Sequence, residues 1–218
     1  MGVQLYRKGI VQTGEFRLKV HDRLPEAPLS PIYINLRVAP RGELTALLIT
    51  EIAREFRLCA QRRELAFFHV VGLPTAAEPL AESFVFSADL PADRLLRMEK
   101  GEAGGKRKIA SIVHGSMQAG AACLMLDDVV TAADSKLEAA QALREKGLVV
   151  TDCLVVVDRE GGGMRDLAKN GIQLHSLFTL SGLLSLLEEE EEITPDEGRR
   201  VASGIQELNA YLEAHPLS

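Results

Sequence analysis

The stretch CLMLDDVVTAADSKLEAAQALREKG (residues 123–147), followed by VVTDCLVVVD (149–158), decides the fold class. An apolar run ends in two adjacent acids, passes through a short turn of small and polar residues, and enters an amphipathic segment that closes at Gly147. Glycine just beyond the last periodic residue is typical of a helix C-terminus. The second apolar run has no polar alternation at its end. The pattern predicts a buried strand, a helix and another buried strand.

The same alternation extends in both directions along the chain. A long segment with apolar residues at helical spacing (43–63) precedes a short apolar strand (66–73), and a short helix (164–171) precedes a last strand (172–180). Strands that read as continuous apolar runs and alternate with helices are typical of a parallel sheet buried on both faces. We therefore predict an α/β fold with a mostly parallel twisted sheet and helices on both faces. In the first helix, Leu47, Ile49, Ile52, Ala53, Phe56 and Cys59 are expected on one side.

The remaining segments are less periodic. GEFRLKV (14–20) and PIYINLRV (31–38) read as short extended pieces separated by a proline-containing loop. Residues 94–115, glycine-rich and basic in the middle, are predicted to form a long mobile loop between two short extended segments. The chain closes with two predicted helices, at 181–192 and 194–215.

Composition narrows the class of protein. The chain has 218 residues, of which 46% are hydrophobic and 26% charged, as expected for a globular protein with a sizeable core. The formal net charge of -6 argues against a general nucleic-acid binder, because a phosphate backbone requires a basic surface. We expect no signal peptide, because the first residues are a mixed polar sequence, and no apolar run approaches the ~18 residues that a membrane span requires. Three cysteines without C-x-x-C spacing are expected to be buried thiols. The expected location is the cytoplasm, without nucleic-acid or membrane partners.

Polar groups follow three of the predicted strands. Asp127–Asp128 and the turn to Ser135 follow one strand, Asp158–Arg159 and three glycines follow the next, and Pro74–Thr75 follow the first. Ligands of open α/β sheets bind beyond the carboxyl ends of the strands, so these groups are expected to line one edge of the sheet. Their convergence, rather than any single motif, predicts a site.

The chemistry of these groups points to a phosphorylated sugar beside an acidic ring compound. The helix start at 131–135 offers unpaired N–H groups to an anion. The two acids suit sugar hydroxyls or a hydrated Mg²⁺, and Arg159 offers a forked donor for a planar carboxylate. Structural alternatives remain open: the acids as turn formers and helix caps, Asp158–Arg159 as a surface ion pair, and the lysines of 100–108 as a solvated loop.

The order of an acidic pair, Val-Val-Thr, a small turn and a helix resembles the phosphoribosyl pyrophosphate (PRPP) motif of type I phosphoribosyltransferases. Other stretches resemble orotate phosphoribosyltransferases, including the transferase half of bifunctional uridine monophosphate synthase. They are SPIYINLR (30–37), GLPTAAEPLA (72–81), LREKGLVVTDCLVVVDRE (143–160) and VVDREGGGMRDLAKNGIQLHSLFTLSGLL (156–184). The resemblance covers almost the whole chain.

This resemblance implies a type I phosphoribosyltransferase fold in a single domain, 1–218, with a small N-terminal hood (1–40), a core (41–187) and a C-terminal helix (188–218). It implies an enzyme of pyrimidine nucleotide biosynthesis that forms orotidine 5'-phosphate and pyrophosphate from orotate and PRPP. The cofactor implied is Mg²⁺ bound through PRPP, with no side chain as direct metal ligand. The implied assembly is a homodimer in which a mobile basic loop closes over the site.

The resemblance also carries over individual residues. Asp127 and Asp128 match the acids that contact the ribose hydroxyls, Thr131 and Arg159 the groups that hold orotate, and Thr75 the loop that faces pyrophosphate. The implied catalytic residues are Lys100, Lys106, Asp127 and Asp128. The implied substrate-binding residues are Lys19, Tyr33, Thr75, Arg97, Thr131, Ala132, Ala133, Asp134, Ser135 and Arg159.

Three positions depart from the family pattern. Ala133 stands where the phosphate turn normally has glycine, Asp134 replaces a hydroxyl donor with a charge, and Met98 stands where a lysine is expected in the mobile loop. An alanine is unfavourable if the turn requires a positive φ, and an aspartate at the helix N-cap would occupy the N–H groups that a phosphate needs. The alternative hypothesis is therefore a catalytically impaired, phosphoribosyltransferase-like binding or regulatory protein. A purine-specific transferase is disfavoured because Arg159 suits an acidic pyrimidine.

Overall fold

The computed structural model describes residues 1–36, 43–74, 76–103 and 106–215. For Lys19 and for residues 43–45, 100–103 and 106–114 it describes the backbone alone. The chain separates into two compact units: Met1–Ala39 together with Leu180–Ser218, and Pro40–Thr179. Leu180–Glu189 thus groups with the chain ends, whereas the sequence placed residues up to 187 in the core.

The unit Pro40–Thr179 contains a six-stranded sheet. Its strands are β3 (His69–Gly72), β4 (Leu95–Ala103), β5 (Lys106–His114), β6 (Ala122–Val130), β7 (Val149–Asp158) and β8 (Gln173–Thr179). They lie in the order β5-β4-β3-β6-β7-β8, in which β5 runs antiparallel to β4 at the edge and the other five strands are parallel to one another. The mostly parallel α/β sheet predicted from the apolar runs is confirmed.

Helices cover both faces of this sheet. They are α2 (Glu43–Arg62), α3 (Glu78–Ser87), α4 (Asp134–Glu145) and α5 (Gly163–Lys169). Consecutive residues of β6 point to opposite faces, and Cys123 and Leu124 are both buried. In α2, Leu48 is buried and Leu47 is 60% exposed, so the expectation for Leu47 is wrong. A step of one residue turns a helix by about 100°, which is enough to exchange the two positions between core and solvent.

The segment 94–115 differs from its prediction. It forms two nine-residue strands paired as a hairpin, where the sequence predicted a long loop. Met98 lies in β4 and is 1% exposed within the hydrophobic core, packed with residues of the sheet and of α4. Met98 is therefore a core residue in the structure, not a position on a mobile loop.

The described residues of the unit formed by the chain ends hold a two-stranded antiparallel sheet and three α-helices. They are α1 (Gly2–Arg7), β1 (Val11–Phe16), β2 (Ser30–Ile34), α6 (Leu180–Glu189) and α7 (Pro195–Ala214). The sequence did not predict α1, and the extended segment expected at 14–20 begins earlier and ends at Phe16. Thr194 caps α7, accepting a hydrogen bond from the backbone N–H of Glu197 at 3.2 Å.

The three cysteines, Cys59, Cys123 and Cys153, are free thiols and all are buried. Burial raises the pKa of Cys123 and of Cys153 to about 12, so both remain neutral thiols at physiological pH. The prediction that these cysteines are core residues is confirmed.

Candidate functional site

The carboxyl ends of β3, β6 and β7 lie side by side because these strands are parallel neighbours. Gly72 of β3 is opposite Leu126 of β6, and Val130 of β6 is opposite Asp158 of β7. The backbone N–H of Leu73 donates to the carbonyl oxygen of Leu126 at 2.9 Å, extending the pairing past the strand. The ends of the three strands that the sequence predicted to carry the site therefore lie at one edge of the sheet.

The turn after β3 folds tightly onto the strand. A Cβ atom at Gly72 would lie 2.2 Å from the carbonyl oxygen of Ala77, so any larger residue would displace the turn. The backbone N–H of Ala77 donates to the carbonyl oxygen of Leu73 at 3.2 Å. Thr75, predicted to face pyrophosphate, lies outside the described residues.

The two acids at the end of β6 have different surroundings. Asp127 is 8% exposed, and its Oδ1 accepts a hydrogen bond from the backbone N–H of Asp128 at 2.9 Å. Asp128 is more exposed than Asp127, and its Oδ1 accepts from the backbone N–H of Val129 at 2.8 Å. Of the pair, Asp128 is the acid better placed to meet a ligand from solvent.

Lys136, in the first turn of α4, is a member of this cluster that the sequence did not predict. Its Nζ donates to Asp127 Oδ2 at 2.6 Å and to the carbonyl oxygen of Val129 at 2.8 Å, and the residue is 2% exposed. A lysine is almost never this deeply buried unless it is paired. The only sequence signal was a lysine at a position of α4 where the helical period places core residues.

Burial and charge shift the pKa values in this cluster. Burial raises the pKa of Asp128 to about 7, and the neighbouring charge of Asp127 acts in the same direction. Burial alone would lower the pKa of Lys136, but the attraction of Asp127, with smaller effects from Cys153 and Asp128, raises it above its ordinary value. Lys136 is therefore an ammonium at neutral pH, whereas Asp128 gains or loses its proton close to neutral pH.

The predicted phosphate turn, residues 131–135, leads from β6 into α4. Ala133 is the N-cap, with φ −93° and ψ −4°, a conformation open to any residue. Asp134 is the first residue of the helix and is exposed, as are Ala132 and Ser135. Within the described part of the chain, no side chain caps α4. The positive φ that would disfavour an alanine therefore does not occur at this position, and Asp134 is not the N-cap of the helix.

The glycine-rich loop after β7 packs against this turn. A Cβ atom at Gly163 would lie 2.5 Å from Val130 Cγ2 and 2.9 Å from the carbonyl oxygen of Thr131. The backbone N–H of Gly163 donates to that same Thr131 oxygen at 3.0 Å. Gly162 has φ +90°, in the left-handed region that favours glycine. The glycines of this loop thus allow it to lie directly on the turn that begins α4.

Arg159 begins this loop beside the end of β6. Its backbone N–H donates to the carbonyl oxygen of Val130 at 2.9 Å, and the residue is 6% exposed. Burial lowers the pKa of Arg159 to about 10, which leaves the guanidinium charged at neutral pH. Asp158 beside it is buried, which raises its pKa, and its Oδ1 accepts from the backbone N–H of Glu160 at 2.9 Å. A buried cation therefore lies one residue beyond the end of β7.

Other predicted site residues of this unit lie on the edge hairpin. The guanidinium of Arg97 pairs with Glu82 of α3, and both side chains are about half exposed. Lys100 lies on β4 opposite Ile109, and Lys106 on β5 opposite Ala103. The side chains of Lys100 and Lys106 are outside the described part of the structure, so their predicted catalytic roles stay predictions.

The two predicted site residues of the other unit belong to its small sheet and its 3-10 helix. Tyr33, on β2, stacks on Phe16 of β1 with ring centroids 5.4 Å apart, and its hydroxyl accepts from Asn35 Nδ2 at 2.8 Å. Lys19 begins the 3-10 helix Lys19–Asp22, and its side chain is not described. The substrate-binding roles of both residues stay predictions.

The described residues contain neither a metal-binding cluster nor a membrane-spanning helix. No group of three or more His, Cys, Asp or Glu side chains within them is arranged to hold a metal ion. No helix among them combines the length and apolar character needed to span a membrane.

Known proteins resemble this chain in sequence and in fold, although no family model matches it. An orotate phosphoribosyltransferase of Caenorhabditis elegans is 31% identical over 208 residues, covering 92% of this chain and 82% of that protein. Uridine 5'-monophosphate synthase of Bos taurus is 37% identical over 188 residues, which cover 86% of this chain but 37% of that protein. The structure of Leishmania donovani UMP synthase matches with a TM-score of 0.71 and 27% identity, over 98% of this chain and 41% of that one. The chain thus spans about two-fifths of the length of these two synthases.

Proposed function

This chain belongs to the orotate phosphoribosyltransferase family, and on that premise we propose that it transfers the phosphoribosyl group of PRPP to orotate. The products are orotidine 5'-phosphate and pyrophosphate, and the activity serves pyrimidine nucleotide biosynthesis. A ring nitrogen of orotate forms the new bond to the anomeric carbon of the ribose. The bond from that carbon to pyrophosphate breaks, pyrophosphate leaves with the bonding electrons, and the ring nitrogen loses its proton.

The observation that carries this proposal is the convergence of three kinds of group at one sheet edge. The uncapped start of α4 supplies backbone N–H groups and the positive end of a helix dipole for a 5'-phosphate. The acids at the end of β6 supply acceptors for ribose hydroxyls. Arg159, at the end of the adjacent strand, supplies a charged, forked donor for the carboxylate of orotate.

The remaining roles follow from the family and from charge. We propose that Lys100 or Lys106 of the edge hairpin stabilises the negative charge that develops on pyrophosphate. Lys19 and Thr75 are proposed to act near PRPP, and Tyr33 near the orotate ring. Mg²⁺ is proposed to enter bound to PRPP, because phosphate oxygens and water are its preferred ligands. Bound there, Mg²⁺ neutralises part of the pyrophosphate charge.

The cellular setting is also a proposal. We propose a homodimer in the cytoplasm, as the family resemblance implies. Sedimentation of the purified chain at several concentrations tests the assembly, and a monomer at all of them would contradict it.

The impaired alternative is not proposed, because the structure speaks against three of its reasons: the missing glycine, a capping Asp134 and a missing loop cation. Ala133 adopts a conformation that does not require glycine, and Asp134 does not cap the helix. Met98, the third reason, is a buried core residue rather than a missing loop cation.

The proposed reaction is tested by incubating the purified chain with orotate, PRPP and Mg²⁺ and measuring orotidine 5'-phosphate and pyrophosphate together. We expect equal amounts of both products with orotate and little turnover with uracil, which lacks the carboxylate. Replacing Arg159 with Gln is expected to lower kcat/KM for orotate by about a hundredfold or more, the effect of removing one charged hydrogen-bond partner. Absence of product from the folded wild-type chain, or equal use of uracil and orotate, would contradict the proposal.

A further inference from the structure

Lys136 is a buried cation that the proposed reaction does not yet use. Its Nζ reaches Asp127 Oδ2 at 2.6 Å and the carbonyl oxygen of Val129 at 2.8 Å, so it ties the first turn of α4 to the end of β6. The other ionisable groups that act on it are Asp128 on β6 and Cys153 and Asp158 on β7. Because Lys136 is 2% exposed and donates a hydrogen bond directly to Asp127, we expect it to affect the position and the charge of the two acids.

The contacts of Asp127 leave its carboxylate engaged on both oxygens. Oδ2 accepts from Lys136 Nζ, and Oδ1 accepts from the backbone N–H of Asp128 at 2.9 Å. The side chain of Asp127 is 11% exposed. Asp128 accepts at Oδ1 from the backbone N–H of Val129 and is the more exposed of the two acids. The two acids are therefore unequal, although the sequence presents them as a pair.

Lys136 also sets the net charge of this cluster. An ionised Asp127 and Asp128 alone carry two negative charges, and the ammonium of Lys136 reduces the cluster to one. Two uncompensated carboxylates would repel a polyanionic sugar phosphate, and would also repel each other. A buried ion pair whose partners also have further hydrogen bonds can persist in a protein core.

We propose that Lys136 is a positioning residue for the site: it holds Asp127 beneath the site as a fixed, charge-compensated carboxylate and leaves Asp128 as the acid that receives the ribose hydroxyls. This inference rests on the proposed function, because PRPP is the ligand that carries those hydroxyls. It assigns different roles to two acids that the family resemblance treats alike.

Four variants test this division of roles: Lys136→Met, Asp127→Asn, the double variant of these two, and Asp128→Asn. The affinity for PRPP with Mg²⁺ is measured by calorimetry, and steady-state KM values for PRPP and orotate are measured in parallel. Lys136→Met leaves both acids uncompensated and is expected to weaken PRPP binding about tenfold or more, raising KM for PRPP more than KM for orotate. The double variant restores the net charge of the cluster and is expected to recover most of that loss.

Asp128→Asn is expected to weaken PRPP binding more than the double variant does. Two results would overturn the inference: a double variant that binds PRPP as weakly as Asp128→Asn, which would mean that Asp127 itself contacts the ligand, or a folded Lys136→Met with wild-type affinity. If Lys136→Met does not fold, the comparison of the double variant with Asp128→Asn is sufficient to test the inference.

If the wild-type chain does not bind PRPP, the proposed function fails and this inference with it. If the wild-type chain binds PRPP but the variants give either of these two results, only the inference about Lys136 is wrong and the proposed function stands.

Discussion

Ala133 occupies the turn position at which the family has glycine, yet its φ of −93° is ordinary for an alanine. Its side chain is 2% exposed and packs in the core cluster of the sheet. Asp134, the next residue, is exposed at the first helical position of α4. At this scale, any weakening of phosphate binding is expected from the charge of Asp134 and not from the missing glycine.

Replacing Asp134 with Thr is therefore expected to lower KM for PRPP about two- to fivefold, because it removes a negative charge from the proposed phosphate site. The same change is expected to destabilise the fold by about 0.3–1 kcal/mol, since an acid in the first turn favours the helix dipole. Steady-state kinetics and urea unfolding measure the two effects.

Ala133→Gly and Glu138→Gln are the matched controls for this change. The first removes a buried methyl group and is expected to destabilise by about 1 kcal/mol without lowering KM for PRPP. The second removes an exposed charge one turn further along α4 and is expected to leave KM unchanged. A gain from Ala133→Gly with none from Asp134→Thr would contradict the role given to charge.

Gly163→Ala tests the packing of the glycine-rich loop on the phosphate turn. The added Cβ would lie 2.5 Å from Val130 Cγ2, so the loop or the turn must shift. We expect a loss of about 1–3 kcal/mol in the free energy of unfolding and a fall in kcat/KM. Gly171→Asn is the control, because Gly171 has φ +70°, which asparagine tolerates, and no atom within 4 Å of the added Cβ. Equal stability of Gly163→Ala and wild type would contradict the tight contact.

At the scale of the element, the hairpin of β4 and β5 is where the prediction from sequence failed. Glycines and charged residues at 99–108 have low β-propensity and were interpreted as a loop. An edge strand, however, needs little apolar character, because it is open to solvent. The apolar residues that anchor the hairpin, Leu96 and Met98, alternate along β4 and are buried together. The signal was present in this short alternation.

Met98→Lys distinguishes a core strand from a loop that lacks its lysine. In a mobile loop the substitution would restore a cation of the family pattern and raise activity. In the structure it buries an ammonium in an apolar cluster, so we expect destabilisation of several kcal/mol and no gain in activity. Met98→Leu conserves volume and is expected to cost less than about 1.5 kcal/mol. Thermal unfolding of both variants, with turnover measured below the transition, makes the comparison.

At the scale of the whole molecule, the titration of Asp128 links the site to global stability. Its pKa is raised to about 7 by burial and by Asp127, whereas an aspartate in an unfolded chain has a pKa of about 3.9. Between these values the folded chain binds more protons than the unfolded one. The stabilisation linked to this group is therefore fully present below about pH 4 and is lost as the pH rises through 7.

Asp128→Asn removes this dependence. We expect wild type to lose on the order of 2 kcal/mol more stability than the variant between pH 5 and pH 7.5. Denaturant unfolding of both proteins at the two pH values gives the difference. The raised pKa of Asp158 acts in the same direction in both proteins and cancels. Equal pH dependence of the two proteins would contradict the raised pKa.

The unit of chain ends depends on contacts that no local pattern encodes. The guanidinium of Arg7 pairs with Glu192, and the hydroxyl of Thr13 donates to Glu197 at 2.5 Å, across separations of 185 and 184 residues. Sequence periodicity predicted α6 and α7 as helices, but it gave no reason to group them with β1 and β2. Because these pairings are polar and join residues far apart in the chain, they cannot be seen in the spacing of apolar residues along the sequence.

The sequence by itself determined the strands β3, β6, β7 and β8, the helices between them and the edge of the sheet at which polar groups gather, because burial imposes a period on each of these segments. It also determined the family, through motifs at three neighbouring strand ends. Only the tertiary structure decided that Met98 is a core residue, that Ala133 needs no positive φ and that Asp127 forms an ion pair with a buried lysine. These outcomes depend on which atoms meet across elements, and the identity of a residue does not specify its neighbours in space.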